Sequence, residues 1–341
     1  MSNLLWLAIP GIFLVLQRAK AEPKPQTGAP PANIPGGAPP ADYGKSNAVP
    51  SKWTDLTDSP FLLSLPGDAT GGTNDPRDMA ILNEIHKRAT LGVLGFGPPP
   101  SPAQPLSGAG WSDVYVSAGG LAARVPVQTD AVKLDGVRVN TSFELQQRTA
   151  DLLGLFSLTD KVGDAIDQQG LKIDPSTHGG IGDWMAKGQG SWTRHMLEHS
   201  YEVDDRIENA GHVPGDVLIN NPGKYWINTY RNWELASPTT GAKYLDGPHG
   251  ANFGWYKPGG GKWQNIGNAH NIWHADYSQV MRFMGPWIFL IQGDGSEIPV
   301  PTATALKDPE LAPLLMHMGK PLLAARHPAI PEWEQKAVLI G

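Results

Sequence analysis

The sequence predicts an α+β fold: one loop-rich main domain with a small mixed or antiparallel sheet and a helix pair. Three features point there. Glycine (40) and proline (32) make up about a fifth of the 341 residues, well above the usual background of roughly 12%, which disfavours a helical bundle. Short alternating stretches bounded by turn residues recur from Trp111 onward, as in Val114–Val116, Arg124–Val127 and Gly223–Ile227. Two capped helical patterns, Phe143–Leu153 and Asp160–Gln169, lie between such stretches. With 40% apolar residues, the chain can bury a sizeable core.

Taken in order, residues 1–21 hold a thirteen-residue apolar run, Leu4–Leu16, broken only by Pro10 and Gly11. It has the length of a signal h-region and is followed by Ala19-Lys20-Ala21, an A-x-A pattern. The n-region lacks Lys and Arg, while Arg18 and Lys20 follow the run, an order that favours an anchor. Signal peptide and membrane anchor both stay open. Residues 22–52 carry seven prolines between Pro23 and Pro40 with no hydrophobic period, the composition of an extended tether. Residues 53–106 form a small front segment with one helix and a second proline-rich linker, Gly97–Leu106. In that helix Asp75 serves as N-cap, Pro76 takes the first helical position and Gly92 closes it.

The main domain is placed at 107–341. Asp135-Gly136 between two short apolar runs predicts a hairpin, because this pair accepts positive φ. Thr141 and Glu144 have the spacing of a capping box at the head of Phe143–Leu153. Asp160, Asp164 and Asp167 read as the solvated face of the next helix. A helix from Trp192 would set His195 and His199 one turn apart, a spacing able to hold zinc, although the H-E-x-x-H order is missing. Asp216–Asn220 reads as a strand, Trp287–Ile291 as a core-crossing strand, and Asp308–His317 as a short helix. Gly259-Gly260-Gly261-Lys262 is followed by Trp263 rather than Ser or Thr, which fits a hairpin tip rather than a phosphate loop. His317 and His327 receive no role.

Chemistry concentrates between Gly247 and Met284, which holds three of the ten histidines and three of the twelve tryptophans. Read as a strand, His270–Phe283 sets His270, Ile272, His274, Asp276 and Ser278 on one face. Asn271, Trp273, Ala275, Tyr277 and Gln279 take the other. Imidazole and carboxylate close together on one face can converge on a metal ion or on a substrate proton. His270, His274, Asp276, Ser278 and Arg282 are therefore the candidate catalytic residues, and His270, His274 and Asp276 the candidate ligands of a metal, zinc being the natural choice. Trp255, His249, Tyr277 and Arg231 are the candidate substrate contacts. A triad of Ser278, His274 and Asp276 is disfavoured, since neighbours on one strand face diverge.

The runs TADLLGLFSLTDKVGDAIDQQ, GKYWINTYRNW, FGWY and AHNIWHADYSQVMRF resemble a family of poorly characterised bacterial and phage-associated proteins with a GW…H…DYS-type ending. The resemblance spans about Val125–Met284 and is most specific over His270–Arg282. It adds weight to Trp255, His270, His274, Asp276, Tyr277, Ser278 and Arg282 without implying a reaction. The ending is also loosely similar to zinc D-Ala-D-Ala and L-Ala-D-Glu peptidases. Their histidine with an aspartate seven residues on is not matched: Glu202 stands at that offset from His195 and Arg206 from His199.

Composition excludes several classes. No cysteine is present, so thiol nucleophiles, disulfides and thiolate metal sites are ruled out. A net charge of −6 gives no general attraction for nucleic acid. The expectation is an exported or membrane-anchored hydrolase in the periplasm or envelope, or on a virion, acting on cell-wall peptide or glycan. The alternative is a non-catalytic structural or wall-binding protein, a virion or membrane-associated component. Its support is the eight tryptophans between Trp184 and Trp287, since exposed aromatic rings can stack on sugars. The cell wall or a membrane surface is the expected partner in either case.

Overall fold

Local pairing and capping rules account for most elements of the computed structural model, which describes residues 4–9, 12–17, 59–66, 74–173, 192–220, 222–229, 248–256, 262–268, 270–275, 278–322, 325–327 and 329–330. The tether, Arg231, Asp276, Tyr277, residues 257–261 and the chain beyond 330 lie outside them. Two units are distinguished, Met1–Lys45 and Ser46–Gly341. The first contains β1 (Leu4–Ile9) and β2 (Ile12–Gln17), an antiparallel pair in register Leu4↔Gln17 to Ile9↔Ile12. Pro10-Gly11, the one interruption of the apolar run, lies outside the described residues. Among the described residues no helix is long and apolar enough to cross a membrane.

The second unit begins with α1 (Pro60–Ser64), capped by Ser59, and α2 (Pro76–Leu91). Asp75 caps α2 by accepting from the Arg77 and Asp78 amides, and Gly92 closes it at φ +69°. β3 (Trp111–Ala118) and β4 (Leu121–Gln128) form a hairpin through Gly119 and Gly120. β5 (Lys133–Leu134) and β6 (Val137–Arg138) flank Asp135 at φ +51° and Gly136 at φ +79°, as the Asp-Gly pair predicts. α3 (Phe143–Leu153), β7 (Phe156–Ser157), α4 (Asp160–Gln169) and α5 (Trp192–Asn209) follow. The cap of α3 is Ser142, whose hydroxyl accepts from Leu145 N; Thr141 instead donates to the Ser142 carbonyl. The N-cap is thus one residue later than expected, and the expected capping box does not form, since Leu145 rather than Glu144 takes the third helical position.

The remaining strands are β8 (Lys224–Ile227), β9 (Ala251–Tyr256), β10 (Lys262–Gly267), β11 (Gln279–Val280), β12 (Phe283–Met284), β13 (Trp287–Ile291) and β14 (Glu297–Pro301). Helices α6 (Thr302–Lys307) and α7 (Ala312–Leu315) close the described chain, where one helix over Asp308–His317 was expected. One sheet has the order β14-β13-β4-β12-β7 with β3 on β4, the other β10-β9-β8-β11, in which only β8 and β11 run parallel. The fold is therefore α+β, as the sequence predicts. β9 and β10 pair antiparallel, and the hairpin tip expected at Gly259-Gly260-Gly261-Lys262 falls mostly outside the described residues. Asp216–Asn220 makes only a single bridge, Leu171↔Ile219, rather than a strand.

Two large apolar clusters and two smaller ones are found among the described residues of this unit. Of the large ones, one joins β3, β4, β8, β9 and β13 with α4, α6 and α7, around Val125, Ile166, Phe253 and Leu290. The other brings Ile81, Leu82 and Ile85 of α2 against Trp111, Leu134, Leu145 and Phe283. The front segment thus shares a core with the chain beyond the second proline linker, which does not separate two cores.

Candidate functional site

Asn271 decides the local geometry of the histidine pair. Its side-chain oxygen accepts from Trp273 N at 3.1 Å, and its carbonyl accepts from His274 N at 3.2 Å. Such Asx turns compete directly with a strand ladder. The expected strand over His270–Phe283 is accordingly replaced by a turn at residues 271–274, with ladder pairing only in β11 and β12. The turn is pinned on both sides. Asn271 bridges His249, Ile272 N donates to Pro248 O at 3.0 Å, and Glu144 N at the head of α3 donates to Ile272 O at 3.0 Å. Ile272 is buried with Phe143, Trp226 and Ile330, and Phe143 and Trp226 stack 5.5 Å apart.

His270 and His274 stay partly exposed at the two ends of this turn. Their rings are stacked, with centroids 3.9 Å apart and an interplanar angle of 4°. The turn, not a pleated face, brings them together, and it sends Ile272 into the core instead of alongside them. The in-plane lone pairs of stacked rings lie in parallel planes and do not converge on an ion at the 2.0–2.1 Å typical of zinc–nitrogen bonds. Among the described residues no group of three or more His, Asp or Glu is placed to hold a metal. Asp276, the third expected ligand, lies outside the described residues, and the two stacked rings alone do not converge on an ion.

Glu144 reaches the same turn through the side chain of Trp273. Burial raises its carboxyl above the ordinary range, while Arg148 and the indole of Trp273 hold it back. Arg148 Nη2 donates to Glu144 Oε1 at 2.6 Å. Sequence reading did not select Glu144 as a site residue, because its spacing from Thr141 marked it as part of a cap.

The other expected site residues are placed differently. Arg282 is fully buried, donating to Gln128 O, Ile219 O, Thr129 O and Tyr225 Oη at 2.6–2.9 Å. It ties the chain before β12 to the end of β4 and to β8. Ser278 is buried and its carbonyl accepts from Lys224 N. His249 is buried, with Nδ1 donating to Asn268 O at 2.8 Å. Asp276, Tyr277, Arg231 and the side chain of Trp255 lie outside the described residues. His199 is buried and donates to Pro222 O at 2.7 Å, and the His195 side chain is likewise not described.

The structure also assembles two histidine contacts that carried no motif. His317 Nε2 donates to Asp164 Oδ2 at 2.6 Å, and Tyr256 donates to the other oxygen at 3.1 Å. His327 is buried against His249 O, and burial pushes its imidazole down to about 4. Both join elements that are far apart in the chain, so no local spacing could reveal them. No family model matches the chain, and no match was found among curated proteins or solved structures.

Proposed function

We propose that the chain is an envelope-associated hydrolase of cell-wall peptide or glycan, with the His270–His274 stack as its acid–base pair. The stack is the observation that carries this reading: two parallel, partly exposed imidazoles with ring centroids 3.9 Å apart. Glu144, its carboxyl raised by burial, reaches the same turn through Trp273. One imidazole takes a proton from the attacking water while the imidazolium, or the Glu144 carboxyl in its protonated form, gives one to the leaving group. Arg148 and Trp273 supply a cation and an aromatic face for the substrate. The apolar N-terminal run and proline tether supply the envelope address.

The full-length protein, incubated with purified peptidoglycan, is expected to release soluble fragments. His270→Ala and His274→Ala should each lower that release at least a hundredfold. Because both rings are partly exposed, unfolding midpoints should move little. Undiminished release by both variants would defeat the acid–base assignment.

A second reading, a non-catalytic wall-binding or structural protein, is favoured by the burial of Arg282, Ser278 and His249. It is selected if peptidoglycan sedimentation retains both histidine variants while no fragments are released by any form.

A further inference from the structure

The last described residues of the chain, 325–327 and 329–330, form a strap tied to α3, to the end of β8 and to the start of β9. Ala325 O accepts from Asn228 Nδ2 at 2.8 Å. Arg326 Nη2 donates to Asp151 Oδ2 of α3 and Nη1 to Ile330 O, each at 2.6 Å. His327 N donates to Gln147 Oε1 of α3 at 3.3 Å, and Ile330 N donates to His327 O at 3.2 Å. Ile330 is buried with Phe143, Trp226 and Ile272, so the strap supplies part of the apolar floor of the His270–His274 turn.

His327 sits at the middle of the strap, fully buried, its ring edge-on to Phe143 with centroids 5.2 Å apart. Both ring nitrogens are engaged, and their partners fix the proton. A backbone carbonyl only accepts, so Nε2, 3.1 Å from His249 O, carries the hydrogen. A backbone amide only donates, so Nδ1, which accepts from Ala329 N at 3.2 Å, is bare. A second proton can enter only at Nδ1, where it meets the Ala329 N–H head-on and the bond is lost. The closed strap thus holds the neutral ring.

The surroundings disfavour that proton as well. Burial opposes it most and the Arg326 charge adds to this, while the His249 carbonyl favours it; the imidazole is pushed down to about 4. Of the α3 carboxylates, Glu144 accepts from Arg148 and Asp151 from Arg326. His249 turns its carbonyl to the ring and its own Nδ1 to Asn268 O.

We propose that this strap is released by acid: a proton at His327 Nδ1 breaks the bond to Ala329 N, the strap lifts, and the floor of the His270–His274 turn is uncovered. In the open strap the imidazole meets water, where its ordinary value is about 6.5. The closed form is therefore fully stabilised above that value and loses ground as pH falls towards about 4. Between pH 7.5 and pH 5 the closing equilibrium shifts roughly thirtyfold towards the open form. Release of the strap is independent of what the histidine pair does; its meaning as a control on hydrolysis rests on the function proposed above.

The test is hydrogen–deuterium exchange of the full-length protein at pH 7.5 and pH 5, corrected for the intrinsic rate and read by mass spectrometry. Protection of the Ala329 and Ile330 amides is expected to fall roughly thirtyfold on acidification. That of the Ile272 and His274 amides should fall with it, while the β3–β4 hairpin stays protected, which separates local release from global unfolding. His327→Gln keeps an amide donor and a carbonyl acceptor but does not titrate, so its strap should respond to acid several-fold less. Should that variant fail to fold, nitrogen-15 spectra of the parent imidazole decide, with a bare Nδ1, a protonated Nε2 and a neutral ring expected at pH 5.5. The proposal is overturned if strap protection is equal at the two pH values or if His327→Gln loses it as the parent does. It is equally overturned if the turn amides stay protected when the strap opens, or if Nδ1 carries the proton at pH 7.5. None of these readouts uses activity, so failure of the hydrolase reading leaves the result standing.

Discussion

Asp78 shows how a single side chain can be placed against its own charge. It sits in the first turn of α2, where its carboxylate accepts from the Ser142 hydroxyl at the cap of α3. Its other oxygen is buried with no partner among the described residues. Burial raises its carboxyl to about 7, against lowering contributions from Ser142 and Arg77. The folded state therefore holds a proton that the unfolded state releases near pH 4. Stability from this group is complete below that value and is lost as pH rises to about 7, by on the order of 3–4 kcal/mol. Asp78→Asn keeps an acceptor for Ser142 but cannot ionise. Urea unfolding should find it more stable than the parent at pH 8, with the gap closing towards pH 4. A gap of constant size would remove ionisation of Asp78 from the account. Asp130 makes the contrast: it is as deeply buried, yet Arg138 and Lys133 hold its carboxyl well below the ordinary range against the cost of burial.

At the scale of elements, a tight fit lies where the start of β9 meets the head of α3. A Cβ on Gly250 would collide with Phe143 and lie 3.0 Å from Trp226 Cζ3. Those two rings are the stacked pair beneath the His270–His274 turn, and the Trp226 indole donates to Thr141 O at 2.9 Å. Gly250→Ala should thus cost roughly 1–3 kcal/mol through overpacking, measured by chemical denaturation, and should disturb the turn above it. No loss of stability would mean that the rings yield freely. Elements set by neighbours in the chain were legible from the sequence: the Asp75-Pro76 helix start, the Asp135-Gly136 hairpin, and the Asp160–Gln169 helix. The turn at 271–274 was not, because alternation of side chains suggested a strand while the Asn271 side chain captured the Trp273 amide. His270 and His274 were legible as a pair, but by the wrong geometry. Glu144 and Arg282 were misjudged for a related reason. Burial and partners such as Thr129 O and Trp273 are set by tertiary packing, which spacing does not encode.

For the molecule as a whole, the proline-rich stretch at 97–106 does not mark a boundary: the segment before it belongs to the same unit, Ser46–Gly341, as the chain after it. Leu62, Ile81, Leu82 and Ile85 are buried in the cluster that also contains Leu134, Leu145 and Phe283. Polar ties reinforce that docking. Arg77 Nη2 donates to Asn140 Oδ1 at 2.6 Å, Arg88 Nη2 to Asp135 Oδ1 at 2.6 Å, and Ser59 to the second oxygen of Asp135. Losing these four apolar side chains alone forfeits roughly 6–12 kcal/mol of burial at 1.5–3 kcal/mol each, comparable to the whole stability of a typical domain. Two truncations should therefore behave in opposite ways. A chain starting at Ser46 should keep a single cooperative thermal transition with the midpoint of the full protein, since it retains every residue of that cluster. A chain starting at Ser107 should lose near-ultraviolet dichroism and cooperativity, because Trp111, Leu134 and Phe283 would face water where α2 had covered them. If the shorter chain melts cooperatively at the parental temperature, the front segment is an accessory to the fold and the shared core is not what holds it.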